Sequence, residues 1–138
     1  MSYLLDTNVI SETFKQEANE NVVKWFENTP NQHIYMSCLS VGEIRYGIAK
    51  LPPSRKKESL SLWLEHHIPE WYEERILPLD AAIMNTWGNI IATHRPLPVM
   101  DSLLAATAIT HQLTLVTRNT KDFHDVQNLN VFNPWLSD

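Results

Sequence analysis

Cysteine and glycine are nearly missing from this 138-residue chain, which holds one Cys and three Gly. With Cys38 alone, neither an internal disulfide nor a thiolate metal cage can form. That predicts a cytoplasmic home and makes Cys38 a small core residue after the strand-like Ile34-Tyr35-Met36. The glycines form no GxGxxG or GxxxxGK array, which excludes the phosphate-cradling loops of nucleotide-cofactor enzymes and NTPases. GxSxG is absent too, and with it the usual setting for acyl transfer. His33, His66, His67, His94, His111 and His124 show no HExxH or other ligand spacing and read as surface or packing residues. No apolar run approaches the ~20 residues that cross a bilayer, and the first residues lack the regions of a signal peptide, so a soluble, unprocessed protein is expected, with no membrane partner. Basic residues are in deficit: 11 Lys and Arg face 16 Asp and Glu, a formal charge of -5. This argues against a broad polyanion-binding surface, with local exceptions at Arg55-Lys56-Lys57 and at Arg118 with Lys121.

Hydrophobic residues make up 43% of the chain, enough for one core, and the expected organisation is a single domain over 1–138. Tyr3 to Leu5 reads as a strand, with helix-starting side chains following at Asp6-Thr7-Asn8. Glu20 to Glu27 is helical by the spacing of Val22, Val23 and Phe26, and His33 to Met36 is a strand. A helix is predicted from Ser40 through Val41, Ile44, Ile48 and Leu51 until Pro52-Pro53. Ser54 to Tyr72 forms a helical arm with Leu60, Trp63, Leu64 and His67 on one side. Ile76 to Leu79 is a short strand, and Asp80 caps a helix in which Gly88 suggests close packing. Asp101 starts another helix, Leu113 to Val116 is a strand, and Val131-Phe132 adds a last one. Alternation of this kind implies an α/β sandwich with a mainly parallel sheet.

Ligands of such folds bind beyond the carboxyl ends of the strands. Asp6 and Asp122 follow strand candidates, while Glu43 and Asp101 fall in the first turns of helices. Carboxylates gathered at one sheet edge repel one another unless a cation lies between them, and oxygen donors select hard ions such as Mg²⁺ or Mn²⁺. Each acid also has a plain structural role open to it. Ser40 with Glu43 matches a capping box, Asp6 and Asp101 suit helix N-caps, and Asp122 suits a polar turn. Their joint placement favours phosphoryl chemistry.

Four blocks, taken together, resemble a known family: Leu4-Leu5-Asp6-Thr7-Asn8-Val9-Ile10-Ser11, Ser40-Val41-Gly42-Glu43-Ile44-Arg45-Tyr46-Gly47-Ile48, Val99-Met100-Asp101-Ser102-Leu103-Leu104-Ala105-Ala106-Thr107-Ala108 and Leu115-Val116-Thr117-Arg118-Asn119-Thr120-Lys121-Asp122-Phe123. In this order, over nearly the whole chain, they resemble the PIN-domain proteins of the VapC toxin family, near its FitB-like branch. The resemblance implies a PIN-like three-layer α/β/α sandwich and a Mg²⁺-dependent endoribonuclease, with Mn²⁺ as an alternative ion. The protein would then be the toxin of a type II toxin–antitoxin pair, a homodimer held inactive by a VapB-like antitoxin and reaching operator DNA only through it. Asp6, Glu43, Asp101 and Asp122 would form the site, with Asp6 and Asp101 the usual Mg²⁺ ligands, and Asn8 and Thr117 would support the carboxylates by hydrogen bonds. Arg118 and Lys121 are candidates to meet RNA phosphates, with plain solvated surface charge an equal reading. Two departures fall in connections: Thr93-His94-Arg95-Pro96 stands where the family often has glycine, and a helix-ending glycine near Gln112 is absent. The arm from Ser54 to Tyr72, with Trp63, is the expected antitoxin surface.

Rival classes fit less well. A receiver domain wants an acidic pair after its first strand and a haloacid-dehalogenase phosphatase wants DxD, whereas Asp6 is followed by Thr7-Asn8. The alternative that survives is a catalytically weak PIN fold kept for antitoxin binding and operator autoregulation. Retention of all four acids argues against it.

Overall fold

The structure is a computed structural model and describes residues 1–136. Five parallel strands, β1 (Tyr3–Leu5), β2 (Ile34–Ser37), β3 (Ile76–Leu77), β4 (Thr114–Val116) and β5 (Val131–Phe132), form one sheet in the order β3-β2-β1-β4-β5. The central strand β1 pairs Tyr3 with Ile34 on one side and Tyr3 with Thr114 on the other. Side chains alternate across a strand, so Leu4 and Leu115 face one layer while Leu5 and Val116 face the other, all four fully buried. Burial on both faces is why these strands read as continuous apolar runs. One layer is α6 (Ala81–Thr93) against α7 (Val99–Thr110), packed on Leu4, Leu115 and Phe123. The opposite layer brings Val9 and Ile10 of α1 (Thr7–Glu12), Ile44 and Ile48 of α3 (Cys38–Ala49), and Ile68 and Tyr72 of α5 (Ile68–Tyr72) onto Leu5, Met36 and Val116. Trp25 and Phe26 of α2 (Glu20–Glu27) close its margin. The α/β/α sandwich is as expected. Among the described residues no helix is long and apolar enough to cross a membrane.

Several boundaries differ from the sequence expectation, each for a local reason. Helix α3 begins at Cys38 with Ser37 as N-cap, its side chain accepting from the Leu39 N–H at 3.0 Å. Ser40 and Glu43 therefore lie inside the helix and form no capping box. Helix α7 begins at Val99, after Pro98, and its first backbone bond runs from Ser102 N to Pro98 O at 2.9 Å. Asp101 is thus inside the first turn and is not the N-cap. Strand β3 stops at Leu77 because Pro78 has no N–H to add to the ladder. The arm is α4 (Arg55–Leu62), a π-turn at Trp63–His67, then α5. Pro69 cannot donate to the Glu65 carbonyl, and the widened turn accommodates it: the Ile68 N–H bonds to Trp63 O instead. At Gly88 a Cβ would meet nothing within 4 Å, so close packing is not the reason for that glycine.

Helix α7 ends in a Schellman motif without glycine. Leu113 N donates to Ala108 O at 2.8 Å and Gln112 N to Ile109 O at 3.1 Å, with Gln112 in the left-handed region at φ 56°. A side chain there costs ~1 kcal/mol, only part of which a glycine's looser unfolded chain takes back. Gln112→Gly is expected to stabilise the fold by about 0.5 kcal/mol, read as a higher urea midpoint at unchanged slope.

Candidate active site

Strands β2 and β4 lie on opposite sides of β1, so the strand order turns between β1 and β4, and ligands of such sheets bind beyond the carboxyl ends of the strands at that point. Asp6 follows directly on β1 there. Its backbone extends the ladder through a bond from Asp6 N to Val116 O at 2.8 Å. Its side chain caps α1, Oδ1 accepting from Thr7 N at 2.7 Å, while Oδ2 accepts the Thr117 hydroxyl at 2.8 Å. Thr117 is fully buried at the end of β4 and is itself oriented by the Asn119 N–H at 3.0 Å.

Glu43 reaches the same place from α3. Its Oε1 is 2.7 Å from the Thr7 hydroxyl, which is also 2.8 Å from the buried Ser40 hydroxyl. Thr7 has one proton to give, so it donates to the carboxylate and accepts from Ser40. Asp101 comes from the first turn of α7 and Asp122 ends the 3₁₀ turn Thr120–Asp122.

The electrostatics tie the four together. Burial raises the Asp6 carboxyl above its ordinary range; bonds from Thr117 and the Thr7 amide oppose the rise, and the charges of Glu43 and Asp122 add to it. Asp101 is raised by burial first, then by Asp6, Asp122 and Glu43. Among the described residues none of the four forms an ion pair with Lys, Arg or His. The result is a concentration of negative charge around Asp6 and Asp101.

Such a donor set fits a hard divalent cation. Among the described residues no three His, Cys, Asp or Glu side chains close on one point. Carboxylate oxygens are the donors that hard divalent cations take.

The PIN-domain family profile matches residues 3–129. This chain belongs to the PIN-domain family. It is similar to Toxin FitB of Neisseria gonorrhoeae, 39% identical over 136 residues that cover 96% of this chain and 97% of that protein. It is also similar to VapC ribonuclease Y4jK of Sinorhizobium fredii, 30% identical over 136 residues and 96% of each chain. The solved structure of FitAB bound to an IR36 DNA fragment superposes with a TM-score of 0.89 at 35% identity, covering 99% of this chain and 97% of that one. These likenesses place the PIN-domain chain on the VapC and FitB branch.

In this PIN domain the supporting polar groups are partly other than expected. Thr117 bonds to Asp6, but Asn8 Oδ1 accepts from the backbone of Arg118 at 3.4 Å and so braces the β4 loop instead of a carboxylate. Thr7 and the hydroxyl of Ser40, absent from the sequence reading as site groups, join Asp6 to Glu43. The available signal was Thr7 itself, a hydroxyl between two site candidates. Arg118 is exposed and lays its guanidinium over Trp135 at 5.0 Å, while Lys121 stands exposed beside Asp122.

Proposed function

We propose that this PIN-domain chain is a Mg²⁺-dependent endoribonuclease, with Mn²⁺ as a substitute ion, and the toxin of a type II toxin–antitoxin pair. The observation that carries the reading is that burial first, and then the charges of the other site acids, raise Asp6 and Asp101 above the ordinary carboxylate range beside the β1/β4 switch point. Asp6 and Asp101 would hold the ion; Glu43 and Asp122 would orient a second ion or the attacking water. Bound Mg²⁺ supplies Lewis acidity, making water more acidic and neutralising charge on the phosphoryl oxygens. Asp6 is fixed for this work by Thr117 and the Thr7 amide, and Glu43 by the Thr7 hydroxyl. Arg118 and Lys121, both exposed, would meet RNA phosphates flanking the cut. Water adds to phosphorus as the 3′ oxygen leaves, which yields a 5′-phosphate and a 3′-hydroxyl.

The partners follow from the same branch. A VapB-like antitoxin would hold the toxin and carry operator binding, a reading supported by the likeness to FitAB on DNA. A groove of about 600 Å³, lined by Val22, Phe26, Trp63, Ile68 and Trp71 together with Lys15, Glu17 and Glu27, suits an antitoxin segment with apolar anchors. Exposed Met84, Ile91 and Val99 on α6 and α7 support a homodimer.

The test is cleavage of a structured RNA mixture by purified, antitoxin-free protein in Mg²⁺ or in EDTA. Metal-dependent cutting with 5′-phosphate ends is expected. A 2′,3′-cyclic phosphate formed in EDTA would overturn the mechanism, and absence of cutting by folded protein would favour a binding module.

A further inference from the structure

Asp122 is the one site acid carried by neither a strand end nor an α-helix. It ends a single 3₁₀ turn, and the stretch around it is a series of tight turns: Asp122 N bonds to Asn119 O, Phe123 N to Thr120 O, and Val126 N to Phe123 O. Phe123 and Val126 are buried and anchor the segment from beneath. On the solvent side the Asp122 carbonyl accepts from Arg95 Nη2 at 3.2 Å. The same guanidinium forks onto Asp125, Nε to Oδ2 at 2.8 Å and Nη2 to Oδ1 at 3.1 Å. Arg95 lies in the connection between α6 and α7, four residues before the helix that carries Asp101. One planar side chain thus joins the backbone on which Asp122 hangs to the connection leading into Asp101. A guanidinium fork holds direction as well as distance, which a single charged amine does not.

We propose that Arg95 is a positioning residue of the metal site: its fork to Asp125 and its bond to the Asp122 carbonyl aim the Asp122 carboxylate at the place that Asp6 and Asp101 share. The inference rests on the metal-dependent reading above. A surface ion pair contributes little to global stability. Its effect is therefore expected in metal affinity and not in folding.

The test is Mn²⁺ binding to the full chain, followed by the free-ion EPR signal, for the wild type, Arg95→Ala, Asp125→Asn, Asp122→Asn and the Arg95→Ala/Asp122→Asn pair, with thermal unfolding in EDTA alongside. Arg95→Ala and Asp125→Asn are expected to weaken Mn²⁺ binding about tenfold, the scale of groups that orient metal ligands, with little change in unfolding temperature. In the Asp122→Asn background, Arg95→Ala is expected to add nothing further. Wild-type affinity in folded Arg95→Ala, or an undiminished effect of Arg95→Ala once Asp122 is neutralised, overturns the positioning role. Should Arg95→Ala not fold, Asp125→Asn carries the same comparison, because it weakens the fork and leaves Arg95 in place. A wild type that binds no Mn²⁺ refutes the metal-dependent reading itself, a different outcome from binding that ignores Arg95.

Discussion

Asp101→Asn and Asp6→Asn should each cut RNA at least about a hundredfold more slowly than the wild type, while the metal-free variants become no less stable or more so. The opposition of the two effects is the informative part. Both carboxyls have folded-state values raised above the ordinary one, by burial and by the other acids. A raised acid gives the folded state stability that is fully present below the ordinary carboxylate range, near pH 4, and is lost as pH rises through the folded value. At neutral pH in EDTA the wild type therefore carries the cost of burying these charges, and their repulsion besides, which an amide removes. Asp101→Asn is the cleaner case, because Asp6 also caps α1 and accepts from Thr117. Its unfolding temperature in EDTA should exceed the wild type's at pH 7 and converge with it near pH 3. Added Mg²⁺ should raise the wild type alone and reverse the ranking. A wild type equally stable in EDTA from pH 3 to 7 would count against the repulsion.

Phe123→Ala should lower unfolding free energy by about 3–5 kcal/mol, a large share of the ~5–15 kcal/mol typical of a domain. Phe123 is 1% exposed and packs in the layer formed by Leu4, Leu104, Leu115 and the Ile83 side of α6. Truncation opens a cavity under the turn that presents Asp122, so the loss should appear both as a lower urea midpoint and as weaker divalent-ion binding under conditions where the variant remains folded. Phe123→Leu, which refills most of the volume, should recover most of the stability. An alanine variant within 1 kcal/mol of the wild type would mean that the segment collapses onto the core without Phe123.

The strands were legible because burial on both faces leaves short unbroken apolar runs, and β1, β4 and β5 lie where those runs predict. The helix starts were not, because capping patterns are local and the choice among them is not. Ser40 and Glu43 have the spacing of a capping box, yet β2 extends to Ser37 through its pairing of Ser37 with Leu77, and that puts the cap on Ser37. Glu43 is thereby released to meet Thr7. The four acids could be found as punctuation at the edges of apolar segments, and Thr117 came with the family resemblance, whereas the bond of Thr7 to Glu43 joins residues 36 positions apart and was not foreseen. The two departures from the family pattern were read as connection details. In the structure one is a left-handed Gln112 and the other contains the Arg95 fork. A sequence shows a missing glycine; it does not show what the replacement grips.

The register of β1 has a consequence for the moment of synthesis. Leu5 lies beside Val116, so the residue that leads into Asp6 finds one of its two neighbours only after 111 further positions have been made. Contacts so far apart in the chain form late, after loop closure has been achieved. An unfinished polypeptide emerging from the ribosome can pair β1 with β2, but it lacks Thr117 to hold Asp6 and lacks Asp122 altogether. The candidate site is thus assembled from residues 111 and more positions apart, and on the proposed reading a growing chain acquires the ability to cut RNA only after Thr117 and Asp122 have been made.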